Sequence, residues 1–211
     1  MLDRYVHHWE PAGDPRIPFT LLLLHGTGGN ERDLLPLGHS VAPGAALLSP
    51  RGNVLEAGHP RFFRRFAEGV LDEADRAQRA NEMADWLAEA AEHYGFDATR
   101  VAVLGYSNGA NLASAVLVLR PGTLAAAALL RPMGAPPAPP QLDLGGIPVL
   151  ITAGQQDPWS RDAGVLADAL RAHGAEVELQ MLAAGHELVR ADLKRAREWL
   201  VTYALAHGAA G

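Results

Sequence analysis

The sequence contains no cysteine in its 211 residues. This absence excludes disulfide bonds, thiolate metal sites and a cysteine nucleophile, and it is compatible with a reducing cytoplasm. Positive charge is also scarce. The sequence has 18 Lys and Arg residues against 24 Asp and Glu residues, which gives a formal net charge of -6. Nucleic acid is therefore not expected as the main partner, since phosphate binding needs a basic surface.

Long apolar segments are lacking as well. The longest runs, FTLLLL and LAAAALL, are far too short to span a bilayer, and no basic segment followed by an apolar one begins the chain. Neither a membrane span nor a signal peptide is expected. The sequence also lacks an H-E-x-x-H zinc motif and a G-x-x-x-x-G-K-[ST] phosphate loop, so no metal and no cofactor is expected. With 48% hydrophobic and 20% charged residues, the composition is typical of one globular domain over residues 1–211, by default cytoplasmic.

Short apolar runs alternate along the chain with longer amphipathic ones. This order predicts an α/β fold, with a mostly parallel central sheet flanked by helices. The run at 124–130 fits a strand or a helix, and its bracketing by Pro-Gly and Arg-Pro favours a strand. The predicted strands are 19–25, 45–50, 100–106, 124–130, 147–154 and 175–182, and the predicted helices are 72–94, 111–120, 160–173 and 187–206.

The heptapeptide GYSNGAN places a lone serine between a predicted strand and a predicted helix. Gly105-x-Ser107-x-Gly109 matches the nucleophile-elbow pattern G-x-S-x-G in this setting. The serine must project from a tight turn, and the small residues on either side let strand and helix approach closely. The alternative is a glycine-rich turn with an incidental serine.

A serine hydroxyl is a weak nucleophile until a histidine takes its proton and a carboxylate orients that histidine. In a strand–elbow–helix architecture these groups follow the serine, acid first and base second. Asp157 and His186 each come just after a later predicted strand. Asp162 and His173 are the competing candidates, but both are predicted to lie in or at the end of a helix. The predicted catalytic residues are therefore Ser107, Asp157 and His186.

An oxyanion formed beside the serine needs backbone donors. The segment LLLLHGTGGNERDL ends a predicted strand and supplies a glycine-rich loop. The predicted donors are the amides of Thr27 in this loop and of Asn108, directly after the nucleophile. His25 precedes the serine, so it is expected to brace the loop through hydrogen bonds.

These motifs together resemble α/β-hydrolases of the phospholipase/carboxylesterase family, which includes the acyl-protein thioesterases. The resemblance extends over nearly the whole chain, and SPRGNVLEAGHPRFFRR is most similar to bacterial carboxylesterases associated with hydroquinone and catechol resistance. It implies an α/β-hydrolase fold and a serine esterase. The chain departs from the thioesterases at Thr27 and Asn108, where they typically carry leucine and glutamine. Both contacts are made by backbone in that family, so catalysis is expected to survive, whereas a protein or long lipid substrate is not favoured.

The predicted roof of the site is the segment 51–71. Only residues 131–146 separate the strand after the elbow region from the strand before the acid, too few for a helical cap, so no separate cap domain is expected. Phe62 and Phe63 are candidates to line an acyl or aromatic pocket, and Arg61, Arg64 or Arg65 to meet an anionic group, with Arg64 taken as the candidate contact. Trp159 is a candidate pocket wall. The alternative is that the phenylalanines pack in the core and the arginines form surface ion pairs.

The prediction is a cofactor-independent hydrolase of small or medium-size carboxylic esters, acting through an acyl-enzyme. A thioesterase or a hydrolase of ring-cleavage products would use the same residues. A non-catalytic small-molecule sensor on a hydrolase shell is the alternative of another class. By analogy with the family alone, a homodimer is possible.

Overall fold

The computed structural model describes residues 2–208. The predicted domain, 1–211, also takes in residue 1 and residues 209–211, which lie outside the described residues. After a 3-10 turn at Leu2–Arg4 the strands are β1 His7–Glu10, β2 Thr20–Leu24, β3 Ala46–Pro50, β4 Val54–Glu56, β5 His59–Arg61, β6 Arg65–Ala67, β7 Val70–Leu71, β8 Val101–Tyr106, β9 Ala126–Leu130, β10 Pro148–Gly154 and β11 Glu176–Leu182. The helices are α1 Leu35–Val41, α2 Glu73–Tyr94, α3 Asn108–Leu119, α4 Ser160–Ala172 and α5 Arg190–Gly208.

Seven strands form the main sheet, in the order β1-β3-β2-β8-β9-β10-β11. β1 runs antiparallel to β3, and the other neighbouring strands are parallel. The carboxyl ends of the parallel strands therefore meet along one edge, where open α/β sheets gather their binding sites. The predicted α/β fold with a mostly parallel sheet is confirmed.

Helices cover both faces of the sheet. α2, α3 and α4 belong to the core on one face, and α1 and α5 to the core on the other. Successive residues of β2 alternate between the two cores: Leu22 and Leu24 pack on one side, Leu21 and Leu23 on the other. This two-sided burial is the reason that the strand is a continuous run of leucine.

Helix α2 begins and ends where its sequence predicts. The Asp72 side chain accepts the Asp75 N–H at 3.0 Å and caps the first turn. Gly95 ends the helix with a left-handed φ of 74°. The face predicted to be apolar is buried, and it consists of Met83, Trp86, Leu87 and Ala90.

Several elements differ from the prediction. β1 and α1 were not predicted. Residues 7–10 are all partly exposed and do not alternate, and α1 has only 7 residues, so neither leaves a clear periodic signal. α3 starts at Asn108 rather than 111, directly after the serine, and α5 starts at Arg190 rather than 187.

The segment 51–71 contains two small hairpins, β4–β5 and β6–β7, each outside the main sheet. Between β9 and β10 the described chain has no helix or strand, in agreement with the absence of a separate cap domain. Within residues 2–208, no helix is both long and apolar enough to cross a membrane.

Candidate active site

Ser107 lies in the turn that joins β8 to α3, at the carboxyl edge of the sheet. Its backbone has φ 51° and ψ -111°, a conformation that costs a non-glycine residue conformational energy. The Ser107 N–H donates to the Leu130 carbonyl at 2.9 Å, which ties the turn to the end of the neighbouring strand β9. The turn is thus held in a strained shape that presents the hydroxyl.

Both glycines of the motif are needed for this turn, because neighbouring backbone atoms leave no room for a side chain at either position. A Cβ on Gly105 would lie 2.7 Å from the Ala110 nitrogen. A Cβ on Gly109 would lie 2.1 Å from the Leu24 carbonyl oxygen, far inside van der Waals contact. The motif is therefore a packing requirement of β2, β8 and α3 as well as a sequence pattern.

Asp157 and His186 reach the serine from two adjacent loops. The loop after β10 and the loop after β11 are bonded to each other, with the Gln156 N–H donating to the Ala184 carbonyl at 3.0 Å. Their backbones are so close that a Cβ on Gly154 would lie 2.1 Å from the Gly185 oxygen. This pairing of loops brings the acid and the histidine together.

The three side chains form one hydrogen-bonded line. His186 Nδ1 lies 2.8 Å from Asp157 Oδ2, and His186 Nε2 lies 2.9 Å from Ser107 Oγ. Because a carboxylate only accepts, Nδ1 carries the proton and Nε2 is left to accept from the hydroxyl. Asp157 is 5% exposed, and its other oxygen accepts the Trp159 N–H at 3.0 Å. The arrangement is able to take a proton from Ser107.

The competing candidates lie elsewhere. Asp162 is in the first turn of α4, and its N–H donates to the Trp159 carbonyl. His173 ends α4, with Nδ1 3.1 Å from the Leu142 carbonyl oxygen. Neither is hydrogen-bonded to Ser107, whose hydroxyl is bonded to His186.

The predicted oxyanion donors, Thr27 and Asn108, both line the cavity beside Ser107. The amides of the residues next to them are already hydrogen-bonded within the protein. The Gly28 N–H donates to the Pro60 carbonyl, and the Ser107 N–H donates to the Leu130 carbonyl. Within residues 2–208, the amides of Thr27 and Asn108 have no such acceptor, so both remain available to a substrate oxygen.

The side chains of these two residues hold the segment 51–71 in place. The Thr27 hydroxyl accepts from Arg61 Nη1 at 2.6 Å, and Asn108 Oδ1 accepts the Phe62 N–H at 2.8 Å. Asn108 thus contributes an anchoring side chain in addition to its amide, a role that its position in the motif did not predict.

His25 braces the glycine-rich loop, as expected. Its Nδ1 lies 2.6 Å from the Gly26 carbonyl oxygen, and its Nε2 accepts the Gly52 N–H at 2.9 Å. Both bonds require the neutral ring, with the proton on Nδ1. Burial lowers the pKa of His25, which favours this neutral form.

Three of the proposed substrate contacts are corrected by the structure. Phe62 and Phe63 are 0% exposed and belong to the core on the side of α2 and α3. The Arg64 side chain is 64% exposed and pairs with Asp72 and Asp75, away from the cavity. These three residues lie in the bend between the two hairpins, outside both strands, so the run of aromatic and basic residues does not reveal which side chains face inwards.

The cavity at Ser107 is small and partly polar, with a volume of about 200 Å³. Trp159 forms part of its wall, as predicted, and its ring meets the His186 ring edge-on at a centroid distance of 5.0 Å. The arginines of the segment 51–71 that line the cavity are Arg61 and Arg65, and both pair with Glu56. The remaining lining residues are Glu68, Gly69, Leu71, Tyr106, Asn111 and Met133.

Comparison with known proteins gives consistent matches. A family model described as the dienelactone hydrolase family matches residues 60–199. The protein MhqD of Bacillus subtilis, whose name describes it as a hydrolase, is 45% identical over 181 residues, 85% of this chain and 90% of MhqD. A carboxylesterase structure from Bacillus cereus superposes with a TM-score of 0.89 and 42% identity over 94% of each chain. A carboxylesterase structure from Mesorhizobium loti has a TM-score of 0.84 and 36% identity over 90% of each chain.

Proposed function

The chain belongs to the dienelactone hydrolase family, and from this membership we propose that it is a serine hydrolase of small or medium-size carboxylic esters. The family model and the relatives support a hydrolase of the dienelactone hydrolase and carboxylesterase type. The line of hydrogen bonds from Ser107 through His186 to Asp157 is the observation that supports the finer proposal.

In the proposed mechanism, Ser107 Oγ attacks the ester carbonyl while His186 Nε2 takes its proton. Asp157 holds the ring with Nδ1 protonated and stabilises the imidazolium that forms. The amides of Thr27 and Asn108 bind the oxyanion. His186 then returns the proton to the leaving alcohol, and a water molecule, activated by the same histidine, cleaves the acyl-enzyme and regenerates the serine.

The size and polarity of the cavity support the substrate class. A volume of about 200 Å³ is below the usual range of about 300–1,000 Å³ for sites that enclose drug-sized ligands. Charged side chains, Arg61, Arg65 and Glu68, line it close to the serine. A long acyl chain would meet these charges, so short acyl groups are favoured. The cysteine-free sequence favours a cytoplasmic location.

A second candidate is the hydrolysis of lactones, which are cyclic esters. The name of the family favours it. The same serine would open the ring, and the alcohol would stay attached to the acyl group instead of leaving.

The test compares the wild type with substitutions at the predicted and the competing positions. We expect turnover of p-nitrophenyl acetate and butyrate, labelling of Ser107 by a fluorophosphonate, and loss of both in Ser107→Ala. Asp157→Asn and His186→Asn should lower kcat by about 10³-fold or more. The matched controls, Asp162→Asn and His173→Asn, should stay close to wild type.

Equal losses at the predicted and control positions would refute the assignment of the three residues. Failure of the wild type to react with esters, lactones and the fluorophosphonate would refute the hydrolase and favour the sensor. A series of esters and thioesters of increasing chain length, with a lactone, then locates the preferred acyl group.

A further inference from the structure

The loop that carries His186 is held by two side chains, the buried Arg131 outside the cavity and Tyr106 in the cavity wall. Three consecutive carbonyls of this loop each accept a hydrogen bond. Arg131 Nε donates to Gly185 at 3.0 Å, the Tyr106 hydroxyl donates to His186 at 3.1 Å, and Arg131 Nη2 donates to Glu187 at 3.1 Å. The Arg131 guanidinium is therefore hydrogen-bonded to the carbonyls of the residues before and after His186.

Arg131 is itself fixed on its other side by a carboxylate. Its Nη1 and Nη2 lie 2.7 and 2.9 Å from the two oxygens of Asp192, and both side chains are 0% exposed. Asp192 also accepts from the Thr152 hydroxyl at 2.6 Å and from the Val189 N–H at 2.8 Å. The fork of Arg131 is thus held in one orientation by β10 and by the start of α5.

The backbone of Arg131 adds a second observation. Arg131 follows β9 directly and has a φ of 55°, in the left-handed region that non-glycine residues seldom adopt. Ser107 has the same feature at the end of the adjacent strand β8, and its N–H is bonded to Leu130, the residue before Arg131. The strained turns that present the serine and the arginine are therefore side by side and tied together.

We propose that Arg131, held by Asp192, is a positioning residue that sets the place of the His186 ring relative to Ser107. This rests on the proposed function, since it assumes that His186 moves the proton. Arg131 does not line the cavity, so it acts through the loop and touches no substrate. His186 handles a proton in both halves of the reaction, and a displacement of about 1 Å is able to lower the rate by about 100-fold.

The test is Arg131→Met, which keeps much of the buried side-chain volume and removes all the hydrogen-bond donors of the guanidinium group. We expect kcat to fall by at least about tenfold, and the rate of Ser107 labelling with it, while KM changes much less. Arg131→Lys should restore part of kcat, because an ammonium replaces one arm of the fork but cannot reach two carbonyls in the same geometry.

Leu170→Ala is the control for loss of stability. Leu170 is 1% exposed near the end of α4, just before β11 starts, at the opposite end of the sheet from Ser107. It should lower Tm while kcat, measured well below every Tm, remains within about twofold of wild type. If Arg131→Met does not fold, Asp192→Asn provides the test, with a lower kcat expected because the fork loses its charged partner.

A folded Arg131→Met enzyme with wild-type kcat would overturn the proposal, and so would equal loss of kcat in Arg131→Met and Leu170→Ala. Failure of the proposed function gives a different pattern. In that case the wild type has no esterase activity, or Ser107→Ala retains it, whatever the effect of Arg131.

Discussion

Replacement of Gly109 by alanine tests the packing argument for the serine turn. Gly109 lies in the first turn of α3, directly beside the nucleophile. An added Cβ would lie 2.1 Å from the Leu24 oxygen, 2.5 Å from the Leu24 carbonyl carbon and 2.7 Å from the His25 oxygen. All three atoms belong to the backbone, so no side chain is able to rotate out of the way.

Two opposing effects set the size of the change. Alanine favours a helix over glycine by about 0.5–1 kcal/mol. Against this, ordinary contact begins at 3.4 Å, so α3 must move away from the end of β2 by more than 1 Å. Overpacking of this kind costs about 1–3 kcal/mol and occasionally more. Because all three close contacts are with backbone, we expect the upper end of this cost, about 3 kcal/mol, and a net loss of roughly 2 kcal/mol, which for a chain of this length lowers Tm by about 4–8 °C.

The movement should also displace Ser107 and the Asn108 amide, because both lie at the start of the same helix. A displacement of about 1 Å predicts a kcat about 100-fold lower. The assays are thermal unfolding by circular dichroism and hydrolysis of p-nitrophenyl butyrate.

Gly164→Ala is the matched control. Gly164 lies inside helix α4, and a Cβ there would meet nothing within 4 Å. With the helix effect alone, the change should raise Tm by about 2–4 °C for a gain near 1 kcal/mol and leave kcat unchanged. A Gly109→Ala protein with the stability and kcat of the wild type would refute the reasoning, as would the same shift in both variants.

Two further predictions concern stability. Burial lowers the pKa of His25 from its ordinary value of 6.5, so the stability that depends on the neutral ring is complete above about pH 6.5 and is lost as pH falls towards the lowered pKa. Tm should therefore fall more between about pH 7.5 and 5.5 in the wild type than in His25→Gln, and equal falls would contradict this. Asp72→Ala removes the cap of α2 and should lower the free energy of unfolding by about 1 kcal/mol in urea titrations. Asp168→Ala, whose side chain is 82% exposed in α4, is its control and should change the free energy much less.

The order of the parallel strands and of the four longer helices, and the family, could be predicted from the sequence. Apolar runs such as FTLLLL predict strands buried on both faces. The acidic N-cap Asp72 and the C-terminal Gly95 mark the two ends of helix α2 in the sequence. The α/β fold and the resemblance to bacterial carboxylesterases are confirmed. Ser107, Asp157 and His186 follow from the elbow motif and the chain order, and their catalytic roles stay predictions.

Side-chain direction within the short hairpins could not be predicted. In FFRR the phenylalanines were expected in the pocket, but they lie in the core, and of the neighbouring arginines Arg61 and Arg65, not Arg64, face the serine. Phe62, Phe63 and Arg64 lie between β5 and β6, outside any strand, so no alternation of sides assigns their directions.

The sequence alone determined the alternation of strands and helices and the motifs from which the chemistry is predicted, because periodicity and local motifs are properties of neighbouring residues. Only the tertiary structure decided what surrounds that chemistry. Arg131 and Asp192 are 61 positions apart and read as ordinary charges. They become a buried pair that holds the His186 loop because β9 and β10 end, and α5 begins, at the same edge of the sheet. Contacts of that range depend on the packing of whole elements, which no local pattern records.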